Sequence, residues 1–155
     1  MDRKKFKRIF VTIALIGAFL MVGTGIKEAH ADTNIDNAAL YCAYAGYYQG
    51  AGEYFTSYAL YYGDASVLDE AYNYQNGAQT YAYEAYYYAV RSSVYYAYDA
   101  YTLAYVAYEN LLQAASDAYN AWYYDSVNYS YRSLLYGGIG AYYIAHASYY
   151  AGVLY

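Results

Sequence analysis

Between Val94 and Trp122 the apolar positions recur in alternating steps of three and four residues. Positions 94, 98, 101, 105, 108, 112, 115, 119 and 122 read Val, Tyr, Tyr, Tyr, Tyr, Leu, Ala, Tyr, Trp. A second series at 97, 100, 104, 107, 111, 114, 118 and 121 is Ala everywhere except Leu111. The third side carries Asp99, Thr102, Glu109, Asn110, Gln113, Ser116, Asp117 and Asn120. Such spacing keeps each series on one side of an α-helix, whereas a strand would mix Tyr, Ala and acids on both faces. The pattern predicts a helix with a packing seam of small residues (Ala97, Ala100, Ala104, Ala107, Ala114, Ala118, Ala121). An aromatic ridge borders it (Tyr98, Tyr101, Tyr105, Tyr108, Tyr119, Trp122). At the ridge positions Tyr is expected to fill the core in place of Leu. Continued backwards, the inner stripe would be Tyr83, Tyr87, Val90 and Val94, with Glu84 and Arg91 at its edge.

Punctuation sets the other elements. Gly50-Ala51-Gly52 divides a helix near 37–49 from one near 53–62, and Gly63 stops the second. Ser66, with Asp69 three residues on, resembles a capping box that opens a helix over 67–75, which Asn76-Gly77 ends. A periodic stretch then runs from about Ala78 to Tyr136, too long for one helix in a compact domain. A break is expected near Asp125-Ser126, where the stripe loses its apolar identity, and Gly137-Gly138 closes the stretch. A last helix is expected over 141–154. The fold class is therefore all-α: a Tyr/Ala-rich bundle of four to six helices with one long amphipathic helix around 80–124.

The start of the chain follows a different pattern. Met1–Arg8 carries five cations and one acid, Ile9–Val22 is a largely apolar run of 14 residues, and Ala29-His30-Ala31 follows. That order is the pattern of a secretory signal peptide, shorter in its apolar part than the roughly 20 residues of a membrane anchor. Cleavage is expected between Ala31 and Asp32, leaving 32–155 as a single helical domain with no stable membrane span. The long basic segment and the A-x-A ending resemble Gram-positive export signals. Cys42 stands too far beyond the apolar run for a lipoprotein, and the sortase signal needs a Pro, of which the chain has none. The expected location is extracellular, free or held non-covalently at the cell surface.

Composition changes the picture in two ways. All 32 Tyr fall after residue 31, and only 19 of those 124 residues are Leu, Ile, Val or Phe. A core must then come from Tyr and Ala, and so many phenols cannot all be buried with partners, so many should be partly exposed. In doublets such as Tyr61-Tyr62 and Tyr149-Tyr150, one ring should face out. Residues 32–155 also hold 11 acids against Arg91 and Arg132, a net charge of −9. That excludes a cationic groove for nucleic acid and a basic face for anionic lipid.

Chemistry is scarce. Cys42 is the one Cys, so no intramolecular disulfide can form, and a small buried residue is its expected role. His146 is the single His after residue 31, expected at the core or its rim. One Cys and one His cannot supply a structural zinc set, and neither a triad nor H-E-x-x-H is present. The Gly-rich Gly137–Gly140 lacks the Lys and Ser/Thr of a phosphate loop. Asp69-Glu70 suit a first helical turn. No cofactor, metal or catalytic residue is implied. The sequence points to a structural or interaction protein with a Tyr-rich surface for binding or self-association. A carbohydrate-binding module using Tyr clusters is the alternative, and an enzyme without a recognisable motif the remote third. The partners this allows are a second copy through helix packing, a protein or a glycan.

Overall fold

The computed structural model of the chain describes residues 32–152. The expected signal segment with Ala29 and Ala31 lies outside the described residues, as does the end of the expected last helix. Four helices follow one another: α1 Thr33–Tyr62, α2 Leu68–Arg91, α3 Ala97–Tyr124 and α4 Val127–Gly152. Each packs on the next, and α1 closes the ring against α4. Neighbours run antiparallel: Tyr41 stacks on Tyr88 near one end of the α1–α2 pair, and Phe55 stacks on Tyr74 towards the other. Gly152 likewise faces Ala39 while Gly137 faces Gln49. The chain is an all-helical, up-down-up-down four-helix bundle, with no strand among the described residues.

The core has one rule. Buried positions step by three and four along α1 (Ile35, Ala38, Cys42, Ala45, Gln49, Gly52, Thr56, Ala59) and α2 (Leu68, Ala71, Gln75, Ala78, Ala82, Ala85, Ala89). In α3 the whole Ala series with Leu111 is buried. In α4 the same step runs through Ser130, Ser133, Gly137, Gly140, Ile144, Ala147 and Ala151. A mean spacing of 3.5 residues is the heptad of a left-handed bundle, here built almost wholly from small side chains. Small residues let the backbones approach, and the area of an Ala methyl is too little to hold a bundle unaided. The Tyr rings supply the rest by lying over the seams.

Two expectations about the core are therefore corrected. Tyr does not replace Leu inside: Tyr98, Tyr105, Tyr119 and Trp122 are exposed and Tyr101 and Tyr108 half-buried. The inner stripe of α2 is Ala82, Ala85 and Ala89, whereas Tyr83 and Val90 are exposed. The physical reason is the phenol. A ring at a flanking position can bury its face against the next helix while its hydroxyl stays at the rim, within reach of water or of another phenol, as Tyr81 is of Tyr48.

The helix boundaries also differ from expectation. The segments around Gly50–Gly52, Asn76-Gly77 and Gly137–Gly140 are internal to α1, α2 and α4. Gly52, Gly77, Gly137 and Gly140 among them are holes for side chains of neighbouring helices. A Cβ on Gly77 would lie 2.3 Å from the Tyr48 ring, and one on Gly140 2.5 Å from Leu111 Cδ2. The periodic stretch breaks at Asp125-Ser126 as expected, through Asp125 in the left-handed region (φ 47°). It also breaks at Ser92–Tyr96, which divides the expected 80–124 helix into α2 and α3. Gly63 ends α1 with φ 63°. The Ser66–Asp69 box does not form; the Asp64 carboxylate accepts from Ser66 N at 3.1 Å and opens a short 3-10 turn, Ala65–Val67.

Glycine substitutions separate the two uses of Gly in α4. Gly138→Ala places a methyl in exposed space with Glu53 Oε1 at 3.9 Å, and should stabilise by about 0.5–1 kcal/mol through helix propensity. Gly140→Ala must displace the fully buried Leu111, and the overpacking cost of about 1–3 kcal/mol outweighs that gain. Urea melts of the two variants should move in opposite directions.

Candidate functional site

The flanking rings join into runs. Over the α1–α2 groove, ring contacts at 4.6–6.2 Å between centroids lead from Tyr87 and Tyr88 through Tyr41, Tyr81, Tyr48, Tyr74 and Phe55 to Tyr54, Tyr58, Tyr62 and Tyr61. Tyr44 and Tyr47 branch from it against Tyr81 and Tyr48. This belt follows the bundle from one end to the other. Its members arise because two helices with small seams leave flanking positions facing each other across a narrow groove. Edge and offset contacts of this kind contribute roughly 0.5–1.5 kcal/mol per pair beyond buried area.

A second run covers the α2–α3 groove, from Tyr98 through Tyr101 and Tyr86 to Tyr105, Tyr108 and Tyr83, with centroids 5.1–6.4 Å apart. A third joins Tyr72, Tyr119, Trp122, Tyr123, Tyr124 and Tyr129 near the other end of α3, at 4.8–6.1 Å. The ridge residues expected from the sequence thus fall into two surface runs, and the seam residues lie beneath them. The α1–α2 belt was missed by sequence reasoning. Its signal was the Tyr at 41, 44, 48, 54, 58 and 62, flanking an α1 heptad that contains few alanines.

Three of the belt's phenols, Tyr41, Tyr54 and Tyr81, and Tyr105 of the second run are raised above the ordinary phenol value. Loss of water around the ring raises Tyr41, aided by the neighbouring Tyr88, and the same desolvation raises Tyr54. Tyr81 is raised chiefly by its hydrogen bond with Tyr48, and Tyr105 by its hydrogen bond to Glu109. At one end of the belt the Arg91 guanidinium lies 3.4 Å from the centre of the Tyr87 ring, and its NH1 donates to Tyr87 O at 3.1 Å. The rings offer hydroxyls and π faces, one of which already holds a cation.

The remaining candidates stand apart from the belt. Cys42 is buried among Ala45, Ala82 and Ala85, and burial pushes its thiol up to about 12. His146 is exposed, not at the core or its rim; its ring leans on Tyr142 at 4.2 Å and its Nδ1 bonds to Tyr142 O at 2.8 Å. Asp69 and Glu70 are exposed in the first turn of α2. Tyr61 and Tyr149 face out while Tyr62 and Tyr150 are half-buried. Asp117, expected on the solvent side of α3, is 1% exposed under α4. There it accepts from Gln113 Nε2 at 3.1 Å and meets Arg132 NH2 at 3.4 Å. No cluster of His, Cys, Asp or Glu among the described residues could hold a metal ion, and no described helix is long and apolar enough to cross a membrane.

Asp32 does more than mark the expected cleavage point. Its Oδ1 accepts from Asn34 N at 2.9 Å and caps α1, while Oδ2 accepts from Ser92 Oγ and Ser93 N, both at 2.7 Å. Asn34 Nδ2 donates to Arg91 O beside them. The Ser92 hydroxyl foremost, then the Ser93 and Asn34 amides, hold the carboxyl at about 2 against burial, which opposes the shift. A carboxyl depressed in the fold contributes stability above its unfolded value, near 4, and that stability is lost as pH falls through 2. Asp32→Asn keeps a capping oxygen but cannot titrate, so its thermal midpoint should vary less than wild type's between pH 5 and 2. An acid limb as steep as wild type's would put the titrating group elsewhere.

No family model matches the chain, and no similar curated protein or solved structure was found.

Proposed function

We propose that this chain is exported and acts as a helical scaffold whose tyrosine belt binds further copies of itself at the cell surface or in the medium. The observation that carries this is the belt's continuity along the whole α1–α2 groove, with Tyr44, Tyr47 and Tyr61 standing 45–59% exposed on it. Rings already fixed against neighbours offer contact area at low rotamer cost. Export is supported by the basic and apolar order of residues 1–31 and by Asp32. As the first residue after the expected cut, Asp32 is also the N-cap of α1, so cleavage leaves every described helix whole. No catalytic role is part of this reading.

Charge sets the test. Two bodies of net −9 repel, and salt screens that repulsion over about 10 Å at 0.1 M. Belt-mediated association should therefore strengthen as salt rises. Static light scattering of the secreted protein should show mass growing with concentration and with salt. Replacing Tyr44, Tyr47 and Tyr61 by Ser should abolish the growth while circular dichroism stays helical. A monomer at every salt concentration overturns self-association. If that monomer binds immobilised glycans through the same rings, carbohydrate recognition takes its place.

A further inference from the structure

The exposure of the rings is uneven along the bundle. The described Tyr rings more than 55% exposed are Tyr61, Tyr95, Tyr98, Tyr123, Tyr124, Tyr131 and Tyr142. All but Tyr142 lie at an end of the bundle or within about two turns of one. Tyr61, Tyr123, Tyr124 and Tyr131 surround the end where α1 and α3 finish and α4 starts, and Tyr95 and Tyr98 mark the opposite end. Tyr95, in the turn between α2 and α3, is 93% exposed. The ring runs also lead to these places. Tyr61 ends the α1–α2 belt, Tyr98 ends the α2–α3 run, and Tyr123 and Tyr124 lie late in the third.

We propose that the bundle is a substrate for oxidative tyrosine coupling, and that copies are joined end to end by dityrosine bonds between these terminal rings. Oxidation by a peroxidase with hydrogen peroxide removes one electron and one proton from each of two phenols. The peroxide takes both pairs and leaves as two waters. The two phenoxyl radicals join through their ortho carbons, and each ortho hydrogen shifts to the phenolic oxygen to restore the ring. The new bond needs the ortho carbons of two copies to touch. Rings such as Tyr41 and Tyr48, half-buried against their neighbours, cannot meet that demand, whereas the terminal rings can.

The ring runs supply the second half of the device. A ring oxidised within a run can take an electron from the ring beside it, so the radical moves along contacts of 4.6–6.4 Å until it reaches a ring open to another copy. Helices of 24–30 residues are roughly 36–45 Å long, so coupling at both ends would give a linear chain of rods.

The test is to treat the secreted protein with peroxidase and hydrogen peroxide. The readouts are a ladder of covalent multimers on denaturing gels, dityrosine fluorescence and mass-spectrometric mapping of the linked peptides. The expected links join Tyr61, Tyr123, Tyr124 or Tyr131 of one copy to Tyr95 or Tyr98 of another. Changing those six to Phe keeps the rings packed and should lower multimer formation at least tenfold. Phe at the exposed side rings Tyr83, Tyr105, Tyr142 and Tyr149, all outside the belt, should leave the ladder in place. Links mapped to the sides, dityrosine confined within single chains, or an end variant that multimerises like wild type would each overturn the assignment. The bond itself forms at the exposed ends, with Tyr61 the one end ring shared with the belt, and Phe there keeps the ring for association. Loss of dityrosine with reversible, salt-strengthened association intact would therefore remove the coupling and leave the belt's role standing.

Discussion

Ala107→Leu should cost the bundle about 1–3 kcal/mol, while the same Leu at Thr102 should change stability by less than about 0.5 kcal/mol. Ala107 is fully buried in the cluster formed with Ala104, Leu111, Ile144 and Ala147. Its carbonyl oxygen lies 3.4 Å from where a Cβ on Gly140 would stand, so the α4 backbone passes close over this turn of α3. Leu adds three heavy atoms into that contact and has no cavity to enter, because the facing positions are Gly and Ala and Leu111 already fills the hole Gly140 leaves. Thr102 is exposed, and its hydroxyl donates only to Tyr98 O within its own helix, at 2.8 Å. Denaturant melts of both variants read the difference directly. Equal midpoints would mean that the seam of α3 does not touch α4.

The seam of α3 was legible because Ala repeats at nearly every step, and a single residue type makes a period visible. In α2 the step is mostly Ala, interrupted at Gln75, but in α1 and α4 many of its positions are held by Cys42, Gln49, Gly52, Thr56, Ser130, Ser133, Gly137 and Gly140. Chemically these share little. What they share is small volume, or a place in one polar level, and only the three-dimensional packing makes that common. For the same reason Gly50–Gly52 and Gly137–Gly140 read as stops. Locally Gly weakens a helix, and its gain, the close approach of another helix, lies far away in sequence.

The break at Ser92–Tyr96 was hidden differently. The stripe continues through it, and the group that captures Ser92 and Ser93 is Asp32, sixty residues earlier. Asp117 read as solvated because it falls among polar neighbours on the α3 wheel, but α4 covers that side and Arg132 comes with it. As for the surface, the ridge rings were legible as a stripe on one helix. The belt was not, because its rings alternate between two helices: Tyr41, Tyr44 and Tyr48 repeat along α1 and Tyr74, Tyr81 and Tyr88 along α2, but only the packing sets the two series face to face.

The polar level in this core leads to the last expected result: Gln75→Met should raise stability by about 1–3 kcal/mol and lower structural uniqueness. Gln75 is fully buried, and neither its Oε1 nor its Nε2 has a hydrogen-bond partner; Gln49 Oε1 is likewise without one. A buried polar atom left unsatisfied costs about 1–3 kcal/mol, and Met keeps the length and shape of Gln without that cost. Space at this level is already matched to the side chain. A Cβ on Gly52 would lie 2.9 Å from Gln75 Cδ, and one on Gly137 would lie 2.2 Å from Gln49 Nε2 and 3.4 Å from Gln75 Nε2. The two amides thus converge on a hole that three helices shape together. Elsewhere the core is mostly small residues, broken by Ile35, Leu68, Leu111 and Ile144, and at most of its levels a helix shifted by one heptad would meet small residues again. Here a shift would drive a Gln into a wall of Ala. The level costs stability and fixes register, as a lone polar residue does in a coiled coil. Urea melts should place Gln75→Met above wild type, and its amide NMR spectrum should show additional or broadened peaks from alternative registers. A destabilised variant would mean that the Gln75 amide is satisfied in solution. A stabilised variant with a single sharp set of peaks would mean that the turns, led by the Asp32 contacts with Ser92 and Ser93, fix the register without help from the core.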